Sequence, residues 1–297
     1  MKRRYFINYS LLLIAGCTAA TSNPNSGSSK ADAGHSLEKL RFTVTDIQDL
    51  QELKRNYGTF QTVLEQVLGK TIEFIPFESY IAAAAALQSD QLDLALTGPS
   101  EYVVMNARTN TVPIIAITRP NYHSLICVST NSTIESVRQL KGKKLAMWKV
   151  GSTSGHVGAT KLVIDAGLNP NSDLEIIMLG NQGLPALQKG EVDAWGGSSA
   201  RYTEFLKDKG LPERALPLIA KGPLLPNDLF VASSKLDSEF VKEISDRMVK
   251  NQDKLLQSLL SVKEGKYQGS KLVPAKDADY NLVREVYKAI GQGRFVP

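Results

Sequence analysis

The fold of this chain is decided by residues 147–158, which read Met147-Trp148-Lys149-Val150-Gly151-Ser152-Thr153-Ser154-Gly155-His156-Val157-Gly158. A short apolar strand runs here into a turn rich in hydroxyl groups and then into a helix. The free N–H groups and the positive dipole end of a helix attract an anion. The hydroxyls add donors, and the glycines let the backbone come close to a ligand. The pattern indicates a pocket for a small oxyanion, with a plain helix cap as the alternative.

On both sides of this stretch, short β-rich runs alternate with helical ones. The first series predicts strands over residues 40–45, 71–75 and 92–96, with helices over 50–68 and 79–87 and a third that begins at Pro99. The second series predicts strands over residues 144–147 and 174–177, with helices over 155–166, 184–189 and 202–209. A strand over 229–232 and a helical C-terminal part follow. This alternation favours an α/β fold of two lobes, each a mainly parallel sheet flanked by helices.

The order of the strands predicts how the lobes are connected. If strand 229–232 returns to the first lobe, the chain crosses between the lobes twice, near residues 129–133 and 221–228. Two crossings make a hinge, and ligands of open α/β sheets bind at the carboxyl ends of strands. We therefore predict a first lobe of residues 37–129 plus 229–297, a second lobe of residues 130–228, and a ligand in the interlobe cleft.

The N-terminal residues have the layout of a secretory signal. Lys2-Arg3-Arg4 precedes a short apolar stretch that ends in Ile14-Ala15-Gly16-Cys17, and this stretch is shorter than the roughly 20 residues that a membrane span needs. Its ending resembles the bacterial lipobox, in which the cysteine is lipidated; an ordinary signal with an accidental cysteine is the alternative. We predict a lipoprotein signal over residues 1–17, with lipidation at Cys17, and a flexible tether over residues 18–36.

Cysteine usage and charge narrow the class of protein. Cys127, the second of two cysteines, lies in the apolar run 125–128 and is predicted to be a buried, inert thiol. Loss of the three basic residues of the signal would lower the formal net charge of +5 by three. The remaining basic residues are spread among acidic ones, which argues against a nucleic-acid partner.

Catalytic patterns are missing from the sequence. Ser152 or Ser154 with His156 does not have the spacing of a nucleophile elbow. The chain has three histidines, and no group of His, Cys and carboxylate residues has the spacing of metal ligands. A phosphate loop of the Lys-Ser/Thr type is also missing. We predict that the protein is not an enzyme and uses no metal or cofactor.

Several segments of the chain form one pattern when they are taken in order. They are Tyr80, Gly98-Pro99-Ser100-Glu101-Tyr102, Asn121-Tyr122-His123-Ser124, the turn Gly151-Ser152-Thr153-Ser154-Gly155 after Leu140-Lys141-Gly142-Lys143, and Gly190-Glu191-Val192-Asp193-Ala194. Together they resemble the phosphate/phosphite/phosphonate-binding proteins of ABC importers over about residues 40–235, and the turn is the most specific part. The resemblance implies a two-lobed periplasmic-binding-protein fold of type II.

The resemblance also implies roles for individual residues. Ser152, Thr153 and Ser154 would hold the oxygens of a tetrahedral oxyanion. Tyr80 and Tyr122 would donate their phenols from the first lobe, and Gly98, Pro99 and Ser100 would form the opposing wall. His156 could add a donor, or it could be a partly exposed histidine of the first helical turn.

One segment departs from the family pattern. Many relatives carry a pair such as His-Asp or His-Gln before the helix that here begins near Leu184, whereas this chain has Gly180-Asn181-Gln182-Gly183. Asn and Gln can bind an anion but carry no charge. Asp193 and Glu101 are the candidate carboxylates for the ammonium group of an aminoalkyl phosphonate, and Asp193 could equally be structural. We therefore prefer a smaller ligand: phosphite, methylphosphonate or phosphate.

The resemblance implies that the protein is the substrate-binding component of an ABC importer. It would capture the oxyanion by hinge closure and deliver it to a membrane permease. The lipid would hold it in the cell envelope, on the plasma (inner) membrane and facing the periplasm or the exterior. One alternative is another ligand on the same fold, such as a sulfonate, nitrate or a thiamine precursor, for which Trp148, Trp195 and Tyr202 could form an aromatic wall. Another is a ligand-sensing domain.

Overall fold

The computed structural model describes residues 38–262 and 266–296. The predicted signal, the lipidation site Cys17 and the tether lie outside the described residues. The strands are β1 Lys39–Val44, β2 Thr71–Phe74, β3 Leu94–Thr97, β4 Val112–Ile117, β5 His123–Val128, β6 Lys144–Met147, β7 Glu175–Met178, β8 Ala194–Ser198, β9 Leu218–Leu224, β10 Asp228–Ala232 and β11 Leu272–Val273. The α-helices are α1 Leu50–Leu68, α2 Tyr80–Gln88, α3 Pro99–Thr109, α4 Ala159–Asp165, α5 Gly183–Lys189, α6 Ser199–Asp208, α7 Ser238–Lys250, α8 Gln252–Ser258 and α9 Asn281–Ala289.

The strands form two sheets, which with their helices are called here the first and second lobes. The first sheet has the order β11-β4-β10-β3-β1-β2 and the second the order β7-β6-β8-β5-β9. Helices α1, α7 and α8 cover one face of the first sheet, and α2, α3 and α9 cover the other. In the second lobe, α5 and α6 pack on one face and α4 on the other. Both sheets are therefore buried between helices, as in other α/β folds.

The α/β fold class is confirmed, but each sheet is mixed rather than mainly parallel. Strand β1 runs parallel to β2 and β3, whereas β10 runs antiparallel to β3 and β4. Likewise β6 runs parallel to β7 and β8, whereas β5 runs antiparallel to β8 and β9. Strands β5 and β10 each follow directly on a crossing between the lobes, with no helical crossover before them. The short strand β11, which follows α8, also runs antiparallel to β4.

The first crossing lies earlier in the chain than we predicted. We placed it near residues 129–133, but β5 belongs to the second sheet, so the crossing falls at residues 118–122. The run Leu125-Ile126-Cys127-Val128 is buried there between β8 and β9. The second crossing, at residues 225–227, falls within the predicted range. Five strands for which we predicted no bounds, β4, β5, β8, β9 and β11, complete the sheets.

The core of the first lobe is built around aromatic residues. The Phe42 ring of β1 lies 6.0 Å from Phe60 of α1, 5.9 Å from Phe74 and 6.1 Å from Phe230. Such pairs add about 0.5–1.5 kcal/mol each to the effect of area burial. Among the described residues, no helix has both the length and the apolar character needed to cross a bilayer.

Cys127 is fully buried in β5. Burial raises the pKa of its thiol, because the thiolate would be charged in an apolar setting. The prediction of a buried thiol is confirmed, and the raised pKa makes it a poor nucleophile.

Candidate functional site

A cleft of about 250 Å³ opens between the two lobes, at the carboxyl ends of β1, β3 and β6. Residues of both lobes line it. The first lobe contributes Thr45, Asp46, Glu52, Asn56, Tyr57, Thr97, Gly98, Ser100, Glu101, Arg119, Tyr122, Asp228, Lys266 and Tyr267, among others. The second lobe contributes Trp148, Lys149, Ser152, Thr153, Ser154 and Arg201. The position of the cleft agrees with the rule that ligands of open α/β sheets bind at the carboxyl ends of the strands.

The hydroxyl-rich turn leaves β6 and enters a π-helical turn over Thr153–Gly158 before α4 begins. Ser152 Oγ accepts a hydrogen bond from Gly155 N–H at 3.2 Å, so this hydroxyl caps the turn. Trp148 N–H donates to the Gly155 carbonyl at 3.0 Å. A Cβ at Gly155 would lie 2.4 Å from Trp148 Cβ, so only glycine allows this approach. The capping that the sequence offered as an alternative is therefore present at Ser152.

Gly158 allows the same turn to pack against β5. A Cβ at this position would lie 2.0 Å from Ser124 Oγ and 3.0 Å from Ser124 Cβ. Ser124 Oγ in turn donates to the Ser154 carbonyl at 2.8 Å. The position of the turn thus depends on the absence of a side chain at Gly158.

We expect Gly158→Ala to lower the free energy of unfolding by about 1–3 kcal/mol, because an overpacked core must shift. Urea denaturation followed by circular dichroism measures the change. Gly58→Ala is the matched control, since nothing lies within 4 Å of a Cβ there. Gly58 lies within α1, where alanine should stabilise by about 0.5–1 kcal/mol. Equal effects of the two substitutions would contradict the packing argument.

The two predicted halves of the oxyanion site meet across the cleft. Thr153 Oγ1 accepts a hydrogen bond from Ser100 N–H at 3.1 Å and lies 2.8 Å from Ser100 Oγ. The Ser100 hydroxyl also donates to the Gly151 carbonyl. Ser100 belongs to the first turn of α3, so an N–H group at the start of this helix meets the hydroxyl-rich turn. Donors from both lobes therefore converge on one place.

Ser154 completes the turn. It is buried and lines the cleft. None of the hydrogen bonds found among the described residues uses its hydroxyl, whereas its carbonyl is taken by Ser124. Ser154 is thus the hydroxyl of the turn that takes part in none of these hydrogen bonds, whereas Ser152 accepts from Gly155 N–H and Thr153 from Ser100 N–H.

Two arginines lie against aromatic rings in the cleft wall. The Arg119 guanidinium carbon lies 3.5 Å from the centre of the Tyr122 ring, and that of Arg201 lies 3.7 Å from the centre of the Trp148 ring. Cation–π contacts of this kind hold the guanidinium plane in place. Each lobe thus places a guanidinium group in the cleft wall, and that of Arg119 is also paired with Asp228.

A buried cluster of charges links the two crossings between the lobes; we call Arg119, Asp228, Lys266 and Tyr267 the hinge cluster. Asp228 accepts from Lys266 Nζ at 2.9 Å and from the Tyr267 hydroxyl at 2.9 Å, and Arg119 Nη1 lies 3.4 Å from its other oxygen. Burial acts to raise the pKa of Asp228, but the charges of Lys266 and Arg119 outweigh it and lower the pKa. Arg119 N–H also donates to Asn227 Oδ1 at 3.3 Å.

Six of the predicted ligand-binding residues line the cleft: Gly98, Ser100, Tyr122, Ser152, Thr153 and Ser154. The remaining four, Tyr80, Pro99, His156 and Asp193, do not belong to its lining. Tyr80 packs behind the turn, with its hydroxyl 3.5 Å from where a Cβ of Gly151 would lie. Pro99 is buried at the start of α3.

His156 and Asp193 hold the backbone around β6. His156 is buried, and its Nδ1 accepts from Gly151 N–H at 3.2 Å. Burial lowers the pKa of its imidazole, which favours the neutral ring that can accept this bond. Asp193 Oδ2 accepts from Lys144 N–H at 2.8 Å, at the start of β6 and so at the opposite end of the strand from the turn.

Sequence reasoning missed the basic residues of the cleft. No basic run marks their positions, yet the fold brings together Arg119, Lys149, Arg201 and Lys266 from four separate segments. Arg201 lies three residues after the carboxyl end of β8, in the first turn of α6, so the strand-end rule could have found it. No sequence pattern around Lys266 indicates that it lies in the cleft, because only the folding of the C-terminal segment brings it to Asp228.

The sequence profile that describes ABC transporter, phosphonate, periplasmic substrate-binding proteins matches residues 42–280. The phosphate-import protein PhnD of Mycolicibacterium smegmatis is 24% identical over 314 residues, which cover 96% of this chain and 97% of that protein.

Solved structures share the fold. PhnD1 from Prochlorococcus marinus in complex with methylphosphonate has a TM-score of 0.68 at 19% identity, covering 86% of this chain and 99% of its own. The periplasmic aliphatic sulphonate binding protein SsuA from Escherichia coli has a TM-score of 0.61 at 19% identity, covering 88% and 89%. These likenesses confirm the type II periplasmic-binding-protein fold. Because the profile matches most of its length, this chain belongs to the family of ABC transporter, phosphonate, periplasmic substrate-binding proteins.

Proposed function

We propose that this protein captures a small phosphorus oxyanion (phosphite, methylphosphonate or phosphate) by closure of its two lobes and delivers it to the permease of its ABC importer. The observation that carries the proposal is the junction of Ser100 with Thr153, where the start of α3 faces the hydroxyl-rich turn. Closure would bend the chain at residues 118–122 and 225–227, the two crossings between the sheets.

The donors at this junction suit a tetrahedral anion. Ser154 offers a hydroxyl, Ser100 and Thr153 offer groups that now bind each other, and Arg119 and Arg201 lie nearby in the wall of the cleft. A hydrogen bond to a charged group contributes about 1.5–3 kcal/mol. Micromolar affinity corresponds to about 8 kcal/mol, so about four or five such bonds would provide it after ordering costs.

A sulfonate is the second candidate, because the same cleft of donors would also fit a sulfur oxyanion. The likeness to the sulphonate-binding SsuA supports this alternative at the level of the fold. Phosphorus and sulfur oxyanions have the same shape, so a direct comparison of matched pairs decides between them.

Isothermal titration calorimetry in phosphate-free buffer tests the proposal with phosphite, methylphosphonate, 2-aminoethylphosphonate, phosphate, methanesulfonate and sulfate. We expect micromolar or tighter binding of phosphite, methylphosphonate or phosphate, and at least tenfold weaker binding of the sulfur oxyanions. Tightest binding of methanesulfonate would favour the sulfonate alternative, and binding of none would contradict both.

Lipid attachment at Cys17 is a separate proposal, which rests on the lipobox-like sequence that ends there. It would keep the protein at the membrane that holds the permease. Mass spectrometry of the N-terminal peptide of the mature protein tests it, and an unmodified peptide that begins elsewhere would contradict it.

A further inference from the structure

A cavity of about 140 Å³ in the second lobe, called here the side pocket, adjoins the cleft. Trp148 and Arg201 line both spaces. The Arg201 guanidinium carbon lies 3.7 Å from the centre of the Trp148 ring, so this pair forms a shared boundary. A ligand in the cleft can therefore extend past Trp148 into the side pocket. The other side chains of its lining are Asn181, Leu184, Trp195, Glu204, Phe205 and Asp208.

The sizes of the two spaces favour one ligand that spans both. Pockets for small molecules commonly have about 300–1,000 Å³. The side pocket, with about 140 Å³, and the cleft, with about 250 Å³, each fall below this range but reach it together. Phosphite, phosphate and methylphosphonate would leave the side pocket to solvent, because none of them has a substituent larger than one methyl group.

The indole nitrogen of Trp195 is a donor without a partner. Trp195 is 1% exposed, and none of the hydrogen bonds found among the described residues uses its Nε1. In the same part of the chain, the polar side-chain atoms that are wholly buried without a partner are Thr43 Oγ1 and Ser270 Oγ. Trp195 Nε1 therefore still reaches open space, and the side pocket is the open space that this ring lines. Because a buried Trp N–H usually has a partner, an acceptor on a ligand would complete it.

Gly183 leaves this nitrogen uncovered. A Cβ at Gly183, the first residue of α5, would lie 2.7 Å from Trp195 Cδ1 and 2.9 Å from Trp195 Nε1. The φ of Gly183 is −63°, which any residue adopts. The glycine is thus required by the space beside the indole and not by the backbone.

The walls of the side pocket suit a planar group without a net charge. Phe205 is half-buried and packs against the core of the second lobe. Aromatic rings such as those of Trp148 and Phe205 favour stacking with a planar partner. Arg201 and Glu204 bring one charge of each sign to the wall, and Asp208 is exposed.

We propose that the side pocket holds the organic substituent of a phosphonate whose oxygens lie at the hydroxyl-rich turn. The substituent is a planar, uncharged group, such as a heteroaromatic ring, with an acceptor atom for Trp195 Nε1. Trp148 joins the two parts, since its N–H donates to the Gly155 carbonyl of the turn at 3.0 Å and its ring lines the side pocket. This inference rests on the proposed function of the cleft and extends its ligand class beyond methylphosphonate.

Calorimetry at pH 8 tests the inference with methylphosphonate, benzylphosphonate and the 3- and 4-pyridylmethylphosphonates. The ring of benzylphosphonate would bury apolar area in the side pocket, so we expect it to bind at least tenfold more tightly than methylphosphonate. The pyridine nitrogen is uncharged at this pH and accepts a hydrogen bond. We expect the better pyridyl isomer to bind at least threefold more tightly than benzylphosphonate.

Two variants locate the substituent. Trp195→Phe keeps a ring but removes the N–H, so it should abolish the preference for pyridyl over benzyl. Phe205→Leu should lower the preference for benzyl over methyl by about twofold to tenfold. Phe240→Leu is the matched control, since Phe240 is a partly buried residue of the first lobe and lines neither space. Each preference is a ratio of two ligands in one variant, so a general loss of folded protein cancels.

The outcomes separate this inference from the proposed function. A wild type that binds methylphosphonate as tightly as benzylphosphonate, or benzylphosphonate as tightly as both pyridyl isomers, would overturn the inference and leave the proposed function intact. Equal benzyl preferences in Phe205→Leu and Phe240→Leu, or a pyridyl preference that persists in Trp195→Phe, would do the same, because the substituent would then lie elsewhere. A wild type that binds no phosphonate, phosphite or phosphate would overturn the proposed function and with it the inference.

Discussion

Asp228→Asn is expected to lower the free energy of unfolding at pH 7 by about 3–5 kcal/mol, because it leaves two buried cations without their counter-charge. Asp228 is 1% exposed, and both Lys266 and Arg119 are paired with it. The amide keeps the size of the side chain and can still accept from the Tyr267 hydroxyl. The loss therefore reports on charge rather than on packing. Urea denaturation at pH 7 measures it.

Asp46→Asn is the matched control for this experiment. Asp46 lies 3.4 Å from the same Lys266 Nζ, but its side chain is 44% exposed. Pairs that are open to solvent contribute about 0.2–1 kcal/mol. If the two variants lose the same stability, burial of the hinge cluster does not have the effect that we assign to it.

The difference in free energy of unfolding between the wild type and Asp228→Asn also depends on pH in a predictable way. The pKa of Asp228 is lower in the folded protein than the 3.8 of an ordinary aspartate. Its stabilisation is therefore present in full above pH 3.8 and is lost as pH falls below that value toward the folded pKa. The difference in stability between wild type and Asp228→Asn should thus be constant from pH 5 to 7 and shrink below pH 3.8. A difference that grew with acid would contradict the lowered pKa.

Thr153→Val is expected to weaken binding of the phosphorus oxyanion by about 1.5–3 kcal/mol, or roughly tenfold to 150-fold. Valine keeps the shape of threonine but removes the oxygen that accepts from Ser100 N–H across the cleft. The start of α3 then loses its partner on the opposing turn, and a donor at the junction disappears. Calorimetry with the tightest ligand of the panel measures the loss.

Thr160→Val is the matched control for Thr153→Val. Thr160 is equally buried and lies in α4, but its hydroxyl contacts Met147 Sδ at 4.0 Å and does not line the cleft. We expect no change in affinity for this variant. A double-mutant cycle with Ser100→Ala should show coupling of at least 0.5 kcal/mol, since the two hydroxyls lie 2.8 Å apart. Unchanged affinity in Thr153→Val would remove Thr153 from the site.

Local pattern was enough to predict the elements that carry the candidate site. The hydroxyl-rich turn after β6 and the start of α3 at a proline can each be recognised from about ten consecutive residues, because caps and turns depend on near neighbours. That Ser100 lies opposite the turn was implied by the family resemblance, and the two residues do meet across the cleft. These are the parts of the site that a single sequence can provide.

Local sequence pattern could not predict the contacts between residues that lie far apart in the chain. The run 125–128 is apolar throughout, which fits a buried strand of either lobe, and only its pairing with β8 decides the matter. The hinge cluster joins residues 119, 228 and 266, none of which has a distinctive neighbourhood in sequence. His156 and Asp193 were predicted from motif position, whereas their hydrogen bonds to Gly151 and Lys144 depend on the fold.

The antiparallel strand β10 fixes the order in which the two sheets can be completed during synthesis. All five strands of the second sheet lie between residues 123 and 224. The first sheet cannot close at that point, because β10 lies between β3 and β4 and supplies the hydrogen bonds of both. A growing chain therefore holds a finished second lobe while β3 and β4 still have open edges. The first lobe is therefore the last to be completed, when the C-terminal helices α7, α8 and α9 pack on its sheet.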